Sequence, residues 1–579
     1  MLSTKAKVLL VLMLWQVTAN AQDTISIGKT APVNVHGGLG ITYEGYGLNL
    51  KPAGSSFYNA RNPWNQARLN FTPNFQFGEW LSVPLNINIS LTPTNFAGPW
   101  AGIGKGPNKE TFWQWVTNPM NSIGINPKYK WAELLLGTQY IKYSDLSTGD
   151  VGSFGAGVNL SPGIFRLKYF TGSSQRGINY LPPEVSGSYQ RNHWMMQTGI
   201  EKEGDYRFLV NFVRGTDKIK SVTSPPITAQ PQEGFTYSIV ADKSFQNGWY
   251  VKSEYARSFF TADRYQPLDN LLDFHPFLVA HTSSTNDEAT QVFAGRRSVN
   301  WDIGVGVKYM GAGFKSMSYP FMQVDYRDLT LNTRFNLFHD KTAVNSSIGK
   351  RTNNVSDVTI LSNQLIINIT TSTLFNEHFT MDVNYNNTGF QAGSSYTIYG
   401  VKNVSNDFTV APTYTFSTAK ITHLFSLSYN LSKYKELLLV APFTVTDNIT
   451  HNFVFTYIPT FLQKELRPDF GIVYFNNSSS GIKNRLLTFS SGLGMPLQKG
   501  KWQLKGQLQY TIGKMHFFTT NNNFIASLQS DCKLNNKLSW NIFLSSNFYK
   551  YGDELAPPVS LVAAHYLETN LRTGFQYQF

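Results

Sequence analysis

Ten histidines, 36 carboxylates and a single cysteine, Cys532, are the residues from which a metal centre or covalent catalyst would have to be assembled. His36, His193 and His281 have no partner at metal-ligand spacing. Asp269, Asp273, Asp287 and Glu288 offer oxygen ligands for calcium in the stretch 261–297, but their spacing matches no defined calcium loop. One cysteine excludes an internal disulfide framework and a multi-cysteine metal site. Neither a phosphate-binding G-x-x-x-x-G-K-[ST] loop, an H-E-x-x-H pair nor a G-x-S-x-G elbow occurs. A Ser–His pair assembled from separate strands is the one catalytic arrangement that a linear reading would miss. The expectation is a protein that is not an enzyme and carries no cofactor or metal.

The more informative polar residues are cations. Arg166, Lys168, Lys252, Arg334 and Lys505 each fall on the polar side of a segment that alternates apolar and polar residues. Facing a water-filled lumen, they would favour anionic polar solutes. Further basic residues on external loops would favour the phosphates of lipopolysaccharide. The chain carries +13, or +11 once Lys5 and Lys7 of the leader are set aside. Nucleic acid is excluded as a partner by the membrane setting that the periodicity implies.

That periodicity identifies the elements that hold the cations. Trp301, Ile303, Val305, Val307 and Tyr309 alternate with Asp302, Gly304, Gly306 and Lys308. Trp502, Leu504, Leu508, Tyr510 and Ile512 alternate with Gln503, Lys505, Gln507, Gln509 and Thr511. Leu81 to Leu91 and Phe379 to Tyr385 behave likewise. Period two with one apolar and one polar face is a strand between lipid and water. Every backbone N–H and C=O must be paired in a bilayer, so such strands must close into a barrel. Aromatics make up 15% of residues, with 30 Tyr and 42 Phe. No apolar run after the leader is long enough for a transmembrane helix.

The ends fit an exported barrel. Residues 1–21 read as a signal peptide: Lys5 and Lys7, an apolar stretch from Val8 to Val17, then Ala19-Asn20-Ala21 as the cleavage site. Residues 22–32 form a periplasmic leader and 33–579 the barrel. The last segment puts Phe575, Tyr577 and Phe579 on one face, a pattern similar to the signal that directs outer-membrane barrels to their assembly machinery. Tight turns are expected at Gly78-Glu79, Pro162-Gly163, Gly204-Asp205, Asn247-Gly248, Gly311-Ala312-Gly313, Lys499-Gly500 and Asn535-Asn536. Long irregular stretches are expected at 92–129, 174–190, 217–233, 261–297 and 389–405. Alternation of short periplasmic turns with long external loops yields about 26 strands, provided a short hairpin turns near Thr138. Without it the count is 22 or 24.

The stretches INPKYKWAELLLG (125–137), GSFGAGVNLSPGIFRLKYF (152–170) and GFKSMSYPFMQVDYRDLTLNTRFNLFHDKTAV (313–344) resemble a group of large plug-less outer-membrane barrels of Bacteroidota, a Gram-negative phylum. The resemblance runs through most of the mature chain and implies the fold and an outer-membrane location. That group has no assigned role, so no functional residue follows from it. Asp23-Thr24-Ile25-Ser26-Ile27 also looks like a TonB box. With no plug between it and the first strand near Val33, it is read as a polar leader.

Two functions fit these features. One is a pore or transport protein for polar solutes, anions among them, gated by inward loops. The other is a non-catalytic subunit of an outer-membrane assembly, secretion or surface complex. The aromatic and leucine-rich stretches 92–129 and 261–297 would pack into the lumen, dock on a protein partner, or pack on themselves.

Overall fold

The computed structural model describes residues 24–25, 33–51, 65–90, 121–149, 151–180, 182, 186–319, 322–357, 362–393, 400–438, 445–514, 520–552 and 565–579. The segments expected to be a signal peptide (1–21) and a leader (22–32, apart from Thr24–Ile25) lie outside them, as does 91–120. The described chain is a closed antiparallel barrel of 26 strands. It starts at Val33–Lys51 and ends at His565–Gln578, and these two strands pair from Gly38↔Gln578 to Lys51↔His565 to shut the cylinder. Thr24–Ile25 adds a short antiparallel pairing to Val33 and Asn34. The only regular helix among the described residues is a single 3₁₀ turn at Ile219–Ser221.

Each strand pairs with its sequence neighbours, so the termini share one end of the barrel with the short turns, except for the Ser480-Gly481 hairpin at the far end. The turns expected at Gly78, Pro162-Gly163, Gly204-Asp205, Asn247-Gly248, Lys499-Gly500 and Asn535-Asn536 are all there. In outer-membrane barrels this short-turn end faces the periplasm.

Five expectations are corrected. The stretch 92–129 is not irregular throughout: Ser122–Ile125 and Lys128–Tyr129 form one interrupted strand between Leu81–Ser90 and Ala132–Ile141. Its turn is at Lys130-Trp131, and Thr138 is mid-strand. Gly137 suggests a turn because of its type, and it does adopt φ +84°. Its lack of a Cβ instead makes room for the Ile123 carbonyl within the sheet. Gly311-Ala312-Gly313 begins a longer segment at the far end, where the Asp287 carboxylate fills the space a side chain on Gly311 would need. Ser284–Arg297 is a strand, which confines the irregular part of 261–297 to 262–283. Strands Phe379–Gly393 and Gly400–Ser417 take up most of 389–405.

The two faces of the wall differ as the alternation demands. Ile303, Val305, Val307, Leu508, Tyr510 and Leu544 are exposed on the outer face. From Leu487 to Leu497 the outward positions are apolar except for Ser491, a band about 25 Å tall at ~3.3 Å per residue and the usual tilt. That matches the hydrocarbon band of an outer-membrane barrel. The polar face is therefore the lumen.

Candidate functional site: a braced sector of the lumen

Between Ala132–Ile141 and Tyr326–Leu337, two connections from the far end turn inward and lie against the polar face. The first is 142–149. Leu146, Ser147 and Thr148 are fully buried, and Thr148 Oγ1 closes the bend by accepting from the Tyr143 N–H at 2.6 Å. Loops need partners for their backbone groups once water is excluded, and the wall supplies them. The Leu146 N–H donates to Glu254 Oε1 at 3.2 Å, and the Gln197 amide donates to the Tyr143 carbonyl at 3.0 Å. Ser144 and Ser238 share a hydroxyl contact at 3.1 Å. Behind them, Gln197 donates to Asn211 and Asn211 to Ser238, at 2.7 and 2.9 Å.

The second connection is 311–319. Its Gly313 and Lys315 N–H groups donate to Asp287 Oδ2 and Ser258 Oγ, at 2.8 and 3.0 Å. Phe314 packs with Leu146, Ala256, Ala289, Met310 and Tyr326 into an apolar cluster inside the barrel. Met317 fits over Gly215 and Gly234, each of which would clash with it if it bore a side chain. The two connections also hold each other. Ser316 Oγ donates to the Ser147 carbonyl at 2.6 Å, and the Gly149 N–H donates to the Ser318 carbonyl at 2.9 Å.

On the short-turn side of this brace lies a cavity of about 560 Å³. Its charges are largely matched: Lys142–Asp145 at 3.0 Å, Arg207–Asp242 at 2.6 Å and Arg297–Asp302 at 2.7 Å. Burial pushes the Asp145 carboxyl up. The hydrogen bond and charge of Lys142, with Gln291 and Lys308, more than offset this and hold it below the ordinary carboxylate range. Glu254 lines the same cavity, and Gln291 donates to its second oxygen at 3.2 Å.

The five cations singled out by sequence occupy different surroundings. Arg166 is ion-paired with Glu201 at 3.1 Å and also donates to the carbonyls of Gly163 and Phe165. Lys168 is half-buried, in register with Asn159 and Gln197. Lys252 lines the 560 Å³ cavity. Arg334 stands in register with Asp302 and Asn345. Lys505 lines a separate cavity of about 800 Å³ with Glu465, Arg467, Asp469 and Asp531. None of Lys168, Lys252, Arg334 and Lys505 has an ion pair among the described residues. The acids Glu201, Asp242, Asp302, Asp469 and Asp531 were missed from sequence, because only cross-strand register brings them beside the cations.

The stretch 262–283 goes the other way. Phe277 stacks between Phe235 and Phe259, with ring centroids at 4.8 and 4.9 Å. Phe274 meets Phe259 edge-on at 5.3 Å. Phe235 and Phe259 are on the outward face, so this connection folds down outside the barrel rather than into the lumen. Leu271 is left 95% exposed.

Of the proposed calcium ligands, Asp269 and Asp273 cap N–H groups of their own connection, those of Leu271 and His275. Asp287 holds Gly313, and Glu288 accepts from the Tyr255 hydroxyl. No group of three or more potential metal ligands occurs among the described residues. A Ser–His pair does form: Ser174 Oγ lies 2.6 Å from His193 Nε2. A base-activated nucleophile also needs a group that orients the base and room for substrate. His193 Nδ1 instead meets the Ser318 hydroxyl at 3.0 Å, and the ring is 3% exposed. The pair therefore reads as another link in the brace.

At the carboxyl end Phe575 stacks on Trp540 at 5.6 Å, and Phe579 lies 6.0 Å from Tyr577 and 6.3 Å from Phe71. Backbone hydrogen bonds between Phe579 and Gly37 complete the seam.

No family model matches the chain, and no curated protein sequence matches it. Among solved structures, the ferric enterobactin receptor of Pseudomonas aeruginosa aligns over 95% of this chain and 81% of its own, at 11% identity and a TM-score of 0.44. The translocation pore of the P pilus usher aligns over 94% and 99%, at 9% identity and a TM-score of 0.34. OpdK of Pseudomonas aeruginosa, solved with vanillate, aligns over 67% and 97%, at 8% identity and a TM-score of 0.28. At such values the likeness carries no functional correspondence.

Proposed function

We propose that the chain is an outer-membrane pore for polar solutes, its lumen narrowed on one side by connections 142–149 and 311–319. The observation that carries this reading is their mutual hydrogen bonding against the polar face. Inward loops that set a constriction are what a solute-passing barrel needs and a purely scaffolding barrel does not. The cations without ion pairs, Lys168, Lys252, Arg334 and Lys505, give the lumen a modest preference for anions. It is modest because neighbouring acids neutralise most of the remaining charge. No covalent chemistry is assigned, and Phe575, Tyr577 and Phe579 serve assembly.

The test is planar-bilayer recording from the purified barrel. A stable open level with a reversal potential displaced toward anions at low salt supports the reading. Silent membranes, or cation-selective channels, overturn it. The exposed Leu271 on the outward-folded connection favours the second reading, a subunit that meets a protein partner at the outer rim. Silent membranes together with a co-purifying partner would move that reading ahead.

A further inference from the structure

The outer wall carries a second charge pattern, independent of the lumen. On strands Ile482–Leu497 and Trp502–Lys514, the outward pair Leu487↔Ile512 marks the far-end limit of the apolar band. The next outward pair is Arg485↔Lys514, two cations directly opposite each other on neighbouring strands. Like charges in that position are destabilising. Both are exposed, and neither has a carboxylate partner among the described residues.

The surrounding positions deepen the excess. Lys483 lies two residues beyond Arg485 on the same face, and Lys433 and Lys550 face outward at the same end of neighbouring strands. Among the described residues of the strands from Ile421–Leu438 to Leu538–Lys550, the one outward carboxylate is Asp447, which stands opposite Lys435. The braced sector differs at the same level: Arg214 is ion-paired with Glu233 at 2.6 Å, and Arg257 stands opposite Glu288.

We propose that this patch, centred on Arg485, Lys514 and Lys483, binds the phosphates of a phosphorylated glycolipid in the outer leaflet. Its height selects the ligand. A cation pair just above the hydrocarbon band meets headgroup phosphate, and the apolar residues below it, Leu487, Ile512 and Phe489, meet the acyl chains. A bound phosphate between Arg485 and Lys514 turns their repulsion into two charge-assisted contacts. This inference needs the membrane-facing assignment of the outer wall but not a conducting lumen.

The experiment follows thermal unfolding of the purified full chain in detergent, titrated with lipid A, with its dephosphorylated form, or with inorganic pyrophosphate. The unmodified protein should be stabilised by lipid A and not by the other two. Arg485→Gln with Lys514→Gln should weaken lipid A binding by roughly 25-fold, about fivefold per charge. Lys499→Gln, in a turn at the opposite end, should leave it unchanged. Should the double variant fail to fold, Lys483→Gln alone carries the expectation of a fivefold loss. Undiminished lipid A binding by these variants, equal binding of the dephosphorylated lipid, or equal stabilisation by pyrophosphate would each overturn the proposal.

Discussion

The braced sector, from Ala132–Ile141 to Thr342–Asn353, and the sector from Ser362–Asn376 to His565–Gln578 solve the same problem in different ways. Both present a polar face to the lumen. In the braced sector Gln197, Asn211, Ser238, Glu254 and Ser258 are buried beneath the inward connections. Each is hydrogen-bonded there, as burial of polar groups requires. In the second sector Asn384, Asn430, Asn452, Gln507 and Gln509 are only partly covered or open, and water can satisfy them. The braced strands run to 14 residues at most, whereas Gly400–Ser417 and Ile421–Leu438 reach 18. The longer strands carry the wall beyond the band at the far end. A polar inner face is thus compatible with either an open wall or a docking surface for loops, and the connections decide which.

The largest expected effect tests whether the brace is a packed structure. Gly215→Val would drive a side chain into Met317, whose Cβ lies 2.4 Å from where the new Cβ must sit. Overpacking of this kind costs roughly 1–3 kcal/mol. Gly494→Val, on the lumen face of the second sector, meets nothing nearer than the Arg467 carbonyl at 3.6 Å. It should change stability by less than about 0.5 kcal/mol. Denaturant unfolding of the two variants side by side would dissolve the comparison if they lost equal stability.

A similar loss is expected from Glu254→Ala, which strips the acceptor from the Leu146 N–H and from Gln291. Unsatisfied buried donors cost roughly 1–3 kcal/mol, so segment 142–149 should gain hydrogen-exchange rate before the wall does. Exchange unchanged in 142–149 would show that Glu254 does not hold it.

Phe277→Ala should release the outward-folded connection, since each aromatic contact contributes about 0.5–1.5 kcal/mol beyond its burial. Faster proteolytic cleavage within 262–283 on intact cells is the readout. Cleavage at the unmodified rate would remove Phe277 as its anchor.

The smallest effect belongs to the second sector. Lys505→Glu should reduce anion preference slightly at low salt, fading as the screening length falls below about 10 Å near 0.1 M. Asp469 and Asp531 beside Lys505 already blunt its field. An undiminished preference would place the selectivity elsewhere.

Strand existence and the identity of the two faces were legible from period-two alternation alone. The strands around Trp301–Met310 and Trp502–Lys514 needed nothing more. What could not be read was the direction a connection takes once it leaves the wall. Segment 142–149 has no unusual composition, and 311–319 opens with glycines that look like a tight turn. Phe274 and Phe277 point to burial without saying on which side of the wall. The acids beside the candidate cations were hidden for a related reason: Glu201 meets Arg166 only through register, which a single sequence does not supply.

The central claim, that the two inward connections narrow a water-filled lumen, is tested most directly by single-channel conductance of the unmodified barrel and a variant with 312–324 replaced by a short glycine–serine turn. The account predicts a higher conductance for the variant, with the barrel still closed. Equal conductance in the two proteins would contradict it.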